Sequence, residues 1–211
     1  NIEQIEDVVS SRTKAIIAVH LFGQSVDMDP LMRFAEKQGL YVIEDNAQSL
    51  GTDYTFRDGT ICKTGCIGHI GITSFFPTKQ LACYGDGGAI ITRDEELAAR
   101  VKMIASHGQS VKYQHQIVGC NSRLDTLQAA VLNVKLTYLT KFLEARRKAA
   151  VFYDAKLSDC DALCIPQKAD YSSHGYNQYT IRVKDGKRDS LRAYLKESGI
   201  PSMVYYPMPL H

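Results

Sequence analysis

Apolar residues along this chain follow two rhythms, and the switches between them mark out the elements. "KAIIAVHLFG" (14–23) is a continuous apolar run closed by glycine, the pattern of a strand buried on both faces. "MDPLMRFAEKQGL" (28–40) changes to helical spacing, with Leu31, Phe34 and Ala35 as its apolar stripe. Its residues predict Asp29 as N-cap, Pro30 at the first helical position and Gly39 as the stop. "YVIED" (41–45) is the next buried strand, followed at once by polar "NAQS". Strand, helix and strand with short links form a βαβ unit and imply a parallel sheet.

Residues 52–68 are polar and glycine-bearing, a loop or a small hairpin, and strand signals return at 70–76 and 88–92. "RDEELAARVKMIASHG" (93–108) reads as a helix with acids early, bases later and glycine at its end. Helical periodicity then runs from 122 to 157, too long for one straight helix, which predicts a kink or a bridge to a second domain. "YNQYTIRV", "RDSLRAYLKESG" and "IPSMVYYP" read as strand, helix and strand, the start of a smaller α+β domain. The chain starts in the middle of a βα pattern and stops at "PMPLH" with no terminal helix, so a fragment with its first strands missing is expected.

Composition adds mainly exclusions. Over 211 residues, 45% are hydrophobic and 23% charged, which is ordinary globular usage. The net charge of +2 is scattered, and the densest basic cluster, "EARRKAA" (144–150), reads as a solvated helix face. No basic stripe with interleaved aromatics points to nucleic acid. The six cysteines form two C-x3-C pairs (Cys62 with Cys66, Cys160 with Cys164) and two singletons, Cys83 and Cys120. Zinc wants four ligands close in space, and His69 is the only histidine near the first pair, so reduced structural thiols and no metal are expected. No apolar run approaches the ~20 residues that span a bilayer, and nothing resembles a signal peptide. A cytoplasmic protein with no membrane partner is the expectation.

Candidate chemistry sits at strand ends, where parallel sheets bind ligands. Asp45 closes "YVIED", with Glu44 on the opposite face. Lys79 lies in a second strand-end loop, after Ser74. Such an aspartate serves a metal, a ribose, a protonated heterocyclic nitrogen or merely its own loop. Such a lysine is a solvated cation unless burial depresses its pKa, in which case it can hold a carbonyl compound as a Schiff base. Together the two match the pair that pyridoxal phosphate uses as an electron sink. His20 in "HLFG" reads as a satisfied strand-end histidine rather than an acid–base group. The absence of a G-x-G-x-x-G after an early strand counts against a nicotinamide-binding protein.

"VIEDNAQSLG", "SFFPTKQLACYGDGGAI" and "GCNSRLDTLQAAVL" resemble, in order, the signatures of the DegT/DnrJ/EryC1/StrS family of sugar aminotransferases. "VHLFGQSVDMDPL" upstream and "GIPSMVYYPMPLH" downstream fit the same order, so the resemblance covers nearly the whole chain. It implies the type I fold of pyridoxal-phosphate enzymes: α/β, a mostly parallel central sheet flanked by helices, plus a smaller α+β C-terminal domain. Residues 1–135 would then belong to the large cofactor-binding domain, 136–158 to a connecting helix and 159–211 to the small domain.

The resemblance also implies roles. Lys79 would carry pyridoxal 5'-phosphate as a Schiff base and shuttle the proton. Asp45 would keep the ring nitrogen protonated, Gln48 would contact the ring's 3′-oxygen and Ser74 would bind the phosphate. Asn121 would reach the phosphate of a neighbouring subunit, making a homodimer with shared sites. The reaction would transfer an amino group from glutamate to a nucleotide-linked keto-sugar, for surface polysaccharide or deoxyamino-sugar synthesis. A non-catalytic regulatory relative and a type I enzyme acting on amino acids alone are the alternatives. Two departures stand out: the family's upstream phosphate-binding loop is absent here, and Asn46 stands where the family more often has alanine.

Overall fold

The computed structural model describes residues 2–209. A short helix α1 (Ile5–Val8) leads into β1 (Ala15–Val19), α2 (Met28–Gln38) and β2 (Tyr41–Asp45). A hairpin of β3 (Asp53–Thr55) and β4 (Ile61–Lys63) precedes β5 (Ile70–Ser74) and β6 (Gly88–Ile91). Then come α3 (Glu95–Ala105), a small ladder of β7 (Gln109–Val111) and β8 (Gln114–His115), and two successive helices, α4 (Thr126–Leu136) and α5 (Leu139–Leu157). The last elements are β9 (Leu163–Cys164), β10 (Arg182–Val183) and α6 (Arg188–Glu197).

The central sheet runs β1-β2-β5-β6. Its first three strands are parallel, and β6 returns antiparallel to β5. The fold is thus α/β with a mostly parallel sheet. One face of the sheet is closed by α2: Ala18 and Val42 meet Met28, Leu31 and Ala35 in a core that Tyr54 completes.

The N-terminus of α2 differs from the sequence expectation. Asp27, not Asp29, occupies the N-cap position, and its side chain makes no capping bond. Instead the Tyr54 hydroxyl accepts from the Asp29 N–H at 2.9 Å and donates to Asp27 Oδ1 at 2.5 Å. A tertiary partner from β3 satisfies the free helix N–H that a local side chain usually serves. Pro30 falls in the first turn, where its missing N–H costs nothing.

Other expectations divide. The predicted break in the long helical stretch lies at Thr137–Tyr138, between α4 and α5. "IPSMVYYP" is irregular, and in "YNQYTIRV" only Arg182–Val183 pairs, with β9. Residues 171–177, which lead into and overlap the start of that stretch, make their hydrogen bonds elsewhere. Thr55 N–H donates to Tyr171 O, Gly175 N–H to Gly23 O and Asn177 N–H to Phe22 O. Gly23 permits that approach: at φ +103° it stands where a Cβ would come within 2.7 Å of the Tyr176 nitrogen. From α5, Arg146 donates to the carbonyls of Tyr176 and Asn177, and Arg147 to those of Ser173 and His174.

The first strand also departs from the expectation of burial on both faces. Ile17 is 64% exposed and Val19 44%, because α2 covers only the side that holds Ala18. The open face carries Ile17, Val19, Ile72 and Ile90, and register puts Asp45 beside Val19 and Ile72 on that same face.

Candidate active site

Alternation along β2 sends its two acids to opposite faces. Glu44 points into the covered side and is fully buried. Its Oε1 accepts from the N–H groups of Ile67 and Gly68, both at 2.6 Å, and its Oε2 from the Gly65 N–H at 2.7 Å and from His20 Nε2 at 2.8 Å. Burial alone would raise its pKa, but His20 and these amides outweigh that and hold it below the usual 4.5. His20 is a satisfied, fully buried histidine. Its Nδ1 accepts the Val26 N–H at 3.0 Å, so Nε2 is the nitrogen that donates to Glu44.

Asp45 is in a different state. It is half-buried, and one oxygen, Oδ1, accepts the Ala47 N–H at 3.0 Å. No other hydrogen bond or ion pair engages its carboxylate among the described residues, so Oδ2 is open. The loop after β2 then folds back on itself. Asn46 N–H donates to Ile72 O at 2.8 Å, and Ser49 N–H to Asn46 O at 3.1 Å.

Lys79 is presented by a turn. Pro77 and Thr78 lead into it, and its own N–H donates to Phe76 O at 2.9 Å. The side chain is half-buried and has no hydrogen-bonding or ionic partner among the described residues. Burial pulls its pKa below the usual lysine range, and the nearby negative charge of Asp45 opposes but does not cancel this. Lys79 and Asp45 therefore share one electrostatic environment, and Lys79 is no ordinary surface cation.

Gln48 is buried in the same loop as Asp45. Its Oε1 accepts the Phe22 N–H at 2.6 Å, its Nε2 donates to Tyr206 Oη at 2.8 Å, and its backbone oxygen accepts from Gln80 Nε2. Ser74 ends β5 two positions beyond Ile72, hence on the face of Asp45; its Oγ accepts the Phe76 N–H at 3.2 Å. Asn121 is exposed. It lines a hollow of about 910 Å³ over β6 and α3, together with Ile72, Asp86 and Arg123, whereas Lys79 lines another hollow with Gln80 and Arg146. Within this chain the structure thus gathers Asp45, Gln48, Ser74 and Lys79 at one end of the sheet, while Asn121 lines the hollow that Ile72 and Ile90 also line.

Sequence reasoning missed Tyr206 and Phe22, the two partners of the Gln48 amide. Phe22 has φ +59°, which turns its N–H toward Gln48, and no composition signal marks that. No group of three or more metal-ligating side chains occurs among the described residues. No helix among them is long and apolar enough to cross a membrane.

Comparison with known proteins gives a consistent picture. The model of the DegT/DnrJ/EryC1/StrS aminotransferase family matches residues 1–211. The chain is 47% identical to the "Pleiotropic regulatory protein" of Geobacillus stearothermophilus, over 99% of its own length and 55% of the relative's. It is 44% identical to the UDP-2-acetamido-2-deoxy-3-oxo-D-glucuronate aminotransferase of Pseudomonas aeruginosa, over 98% of its length and 55% of that enzyme's. The crystal structure of S. venezuelae DesV in complex with a ketimine intermediate superposes with a TM-score of 0.93 at 36% identity, over 100% of this chain and 55% of that one. The chain thus spans a little over half the length of these relatives.

Proposed function

The chain belongs to the DegT/DnrJ/EryC1/StrS aminotransferase family, and on that premise we propose that it is part of a pyridoxal 5'-phosphate-dependent nucleotide-sugar aminotransferase. The amino group would come from glutamate and go to a keto group on a nucleotide-linked sugar. One observation carries the reading: Lys79, with depressed basicity, and Asp45, with one open oxygen, meet at the same end of the sheet.

The donor set fits the cofactor. An aldehyde needs an amine that is uncharged for part of the time, a pyridine nitrogen needs an anionic acceptor, and a phosphate needs hydroxyl or amide donors. Lys79, Asp45 and Ser74 supply these in turn. Gln48 keeps a second Nε2 hydrogen beyond the one given to Tyr206, available to a ring oxygen. When bound, the cofactor supplies the electron sink for the substrate carbon. Lys79 Nζ would hold the cofactor at rest and, once released, would carry the proton to and from the substrate carbon. Asp45 would keep a proton on the ring nitrogen through a charge-assisted hydrogen bond.

The exposure of Asn121 leaves its amide free to serve a neighbouring subunit, and hence a homodimer with shared sites. We assign 1–135 to the large domain, 136–158 to the connecting helix and 159–211 to the small domain. The Pseudomonas relative's name points to UDP-linked uronic sugars as the substrate class. A cytoplasmic location, with no nucleic acid or membrane partner, fits such substrates.

The name of the Geobacillus relative favours a second reading, a regulator that keeps the fold. Retention of both Lys79 and Asp45 weighs against it. The deciding experiment is borohydride reduction of the whole protein loaded with cofactor. The visible band should vanish and the label should appear on Lys79. A label on Lys63 or Lys112, or a protein with no visible band at all, would sink the enzyme reading.

A further inference from the structure

We propose that Tyr206 is a positioning residue of the Asp45–Lys79 site, acting through Gln48; the inference rests on the function proposed above. Gln48 is held from three sides. Its backbone oxygen accepts from Gln80 Nε2, the neighbour of Lys79, and its Oε1 accepts the Phe22 N–H at 2.6 Å. The third contact comes from far downstream, where Tyr206 Oη accepts from Nε2 at 2.8 Å.

These contacts divide the work. The Phe22 N–H fixes which end of the carboxamide is oxygen, because a donor can face only Oε1. It does not fix the plane of the amide, since the terminal torsion of glutamine is broad. Tyr206 fixes that plane. With one Nε2 hydrogen committed to Tyr206, the other has a single direction, and that hydrogen is the one left for a ligand. Remove the Tyr206 oxygen and the amide can rotate about the Phe22 contact.

Tyr206 is well placed for this and is held by little else. It sits in the irregular stretch after α6, is 54% exposed, and has its ring stacked on Phe22 with centroids 6.3 Å apart. The Tyr206 ring thus rests on the loop that presents the Phe22 N–H, and its hydroxyl holds Gln48 in the loop after β2. Docking of the C-terminal stretch and orientation of Gln48 become one event. The Tyr206 hydroxyl donates to no acceptor among the described residues, so its bond to Gln48 is made purely as an acceptor.

The test uses the whole protein in four forms: wild type, Tyr206→Phe, Gln48→Ala and the double variant. Tyr206→Phe keeps the ring on Phe22 and removes only the oxygen. In the cofactor-free protein, amide hydrogen exchange at Phe22 should quicken severalfold in Tyr206→Phe, because its acceptor is no longer held. In the loaded protein, Tyr206→Phe should lower kcat roughly fivefold to tenfold, the scale of one hydrogen bond, with KM for the amino donor nearly unchanged. The pH profile of kcat should shift as it does in Gln48→Ala. In the Gln48→Ala background, Tyr206→Phe should cost nothing more. Unchanged exchange at Phe22, or independent and multiplying losses in the double variant, would overturn the assignment. A wild-type protein without a visible band would instead defeat the proposed function, while the exchange measurement would still judge the Tyr206–Gln48 link.

Discussion

Glu44 and Asp45 are adjacent carboxylates on one strand, and they live in opposite chemical worlds. Glu44 accepts four hydrogen bonds, from His20 and the amides of Gly65, Ile67 and Gly68, in a site sealed from water. Asp45 accepts one, from Ala47, and keeps an oxygen open beside an amine of lowered basicity. The first is a finished structural network, which holds the loop at 65–68 against the back of the sheet. The second is unfinished within this chain, as a ligand site must be. Satisfied valence marks the face that folds, and open valence marks the face that binds.

That contrast makes its largest prediction about activity. Lys79→Ala and Asp45→Asn should each cut turnover on the order of a thousandfold, about 4 kcal/mol of barrier, yet move unfolding by less than about 1 kcal/mol. Steady-state rates beside denaturant melts would check this. Either variant unfolding badly with its activity per folded molecule intact would erase the distinction between the faces.

Glu44→Gln should do the reverse. The new amide would turn N–H groups toward N–H donors and remove the charge, costing roughly 3–5 kcal/mol of stability. In the wild type the folded Glu44 pKa is depressed. Its contribution is therefore present above the ordinary 4.5 and is lost as pH falls through the folded value. Glu44→Gln should lack that acid-side loss in urea midpoints measured from pH 6 downward, while turnover per folded molecule changes little.

A third buried group sharpens the point. His174 lies in the segment that crosses from α5 to the Gly23 loop, its Nδ1 accepting the Tyr176 N–H at 3.0 Å. Burial, with Lys168 and Arg147 adding to it, drops its pKa to about 4 from 6.5. The unfolded chain therefore binds a proton more readily between those values, and stability falls as pH drops through that window. The loss is on the order of 3 kcal/mol. His174→Asn, which can still accept from Tyr176, should flatten stability between pH 6.5 and 4. A wild-type curve already flat there would show that the imidazole is not held neutral.

The sequence disclosed these regions unequally. The βαβ order, the break near Thr137 and the pairing of Asp45 with Lys79 follow from local periodicity and from residue types at strand ends, which depend on few distant contacts. The segment at 171–177 was not readable, because its hydrogen-bond partners are Gly23, Asp53 and two arginines on α5, remote in sequence. The start of α2 was misplaced for the same reason: Tyr54, not a neighbouring side chain, serves the Asp29 N–H. Gln48 could be named from the motif, but its Phe22 and Tyr206 partners depend on a positive φ and on a loop 158 residues away.

The smallest expected effect belongs to Asn46, which sits one residue from Asp45 but shares the covered face with Glu44. It is fully buried, its Oδ1 accepts from Ser49 Oγ, and its Nδ2 has no partner. It also lies so close to Gly65 that a Cβ there would come within 2.7 Å of Nδ2. Replacing it by alanine, the residue more usual in the family pattern, removes an unsatisfied donor whose desolvation costs about 1–3 kcal/mol. Against that stand a small void and the loss of the Ser49 bond, and Ser49 retains Thr64 Oγ1 at 3.2 Å. These terms nearly cancel, so Asn46→Ala should shift stability by no more than about 1 kcal/mol in either direction. Turnover should stay within about twofold of wild type, because the side chain faces away from Lys79. A tenfold fall in rate at unchanged stability would mean that the covered face steers the chemistry after all, through the backbone that Asn46 shares with Asp45.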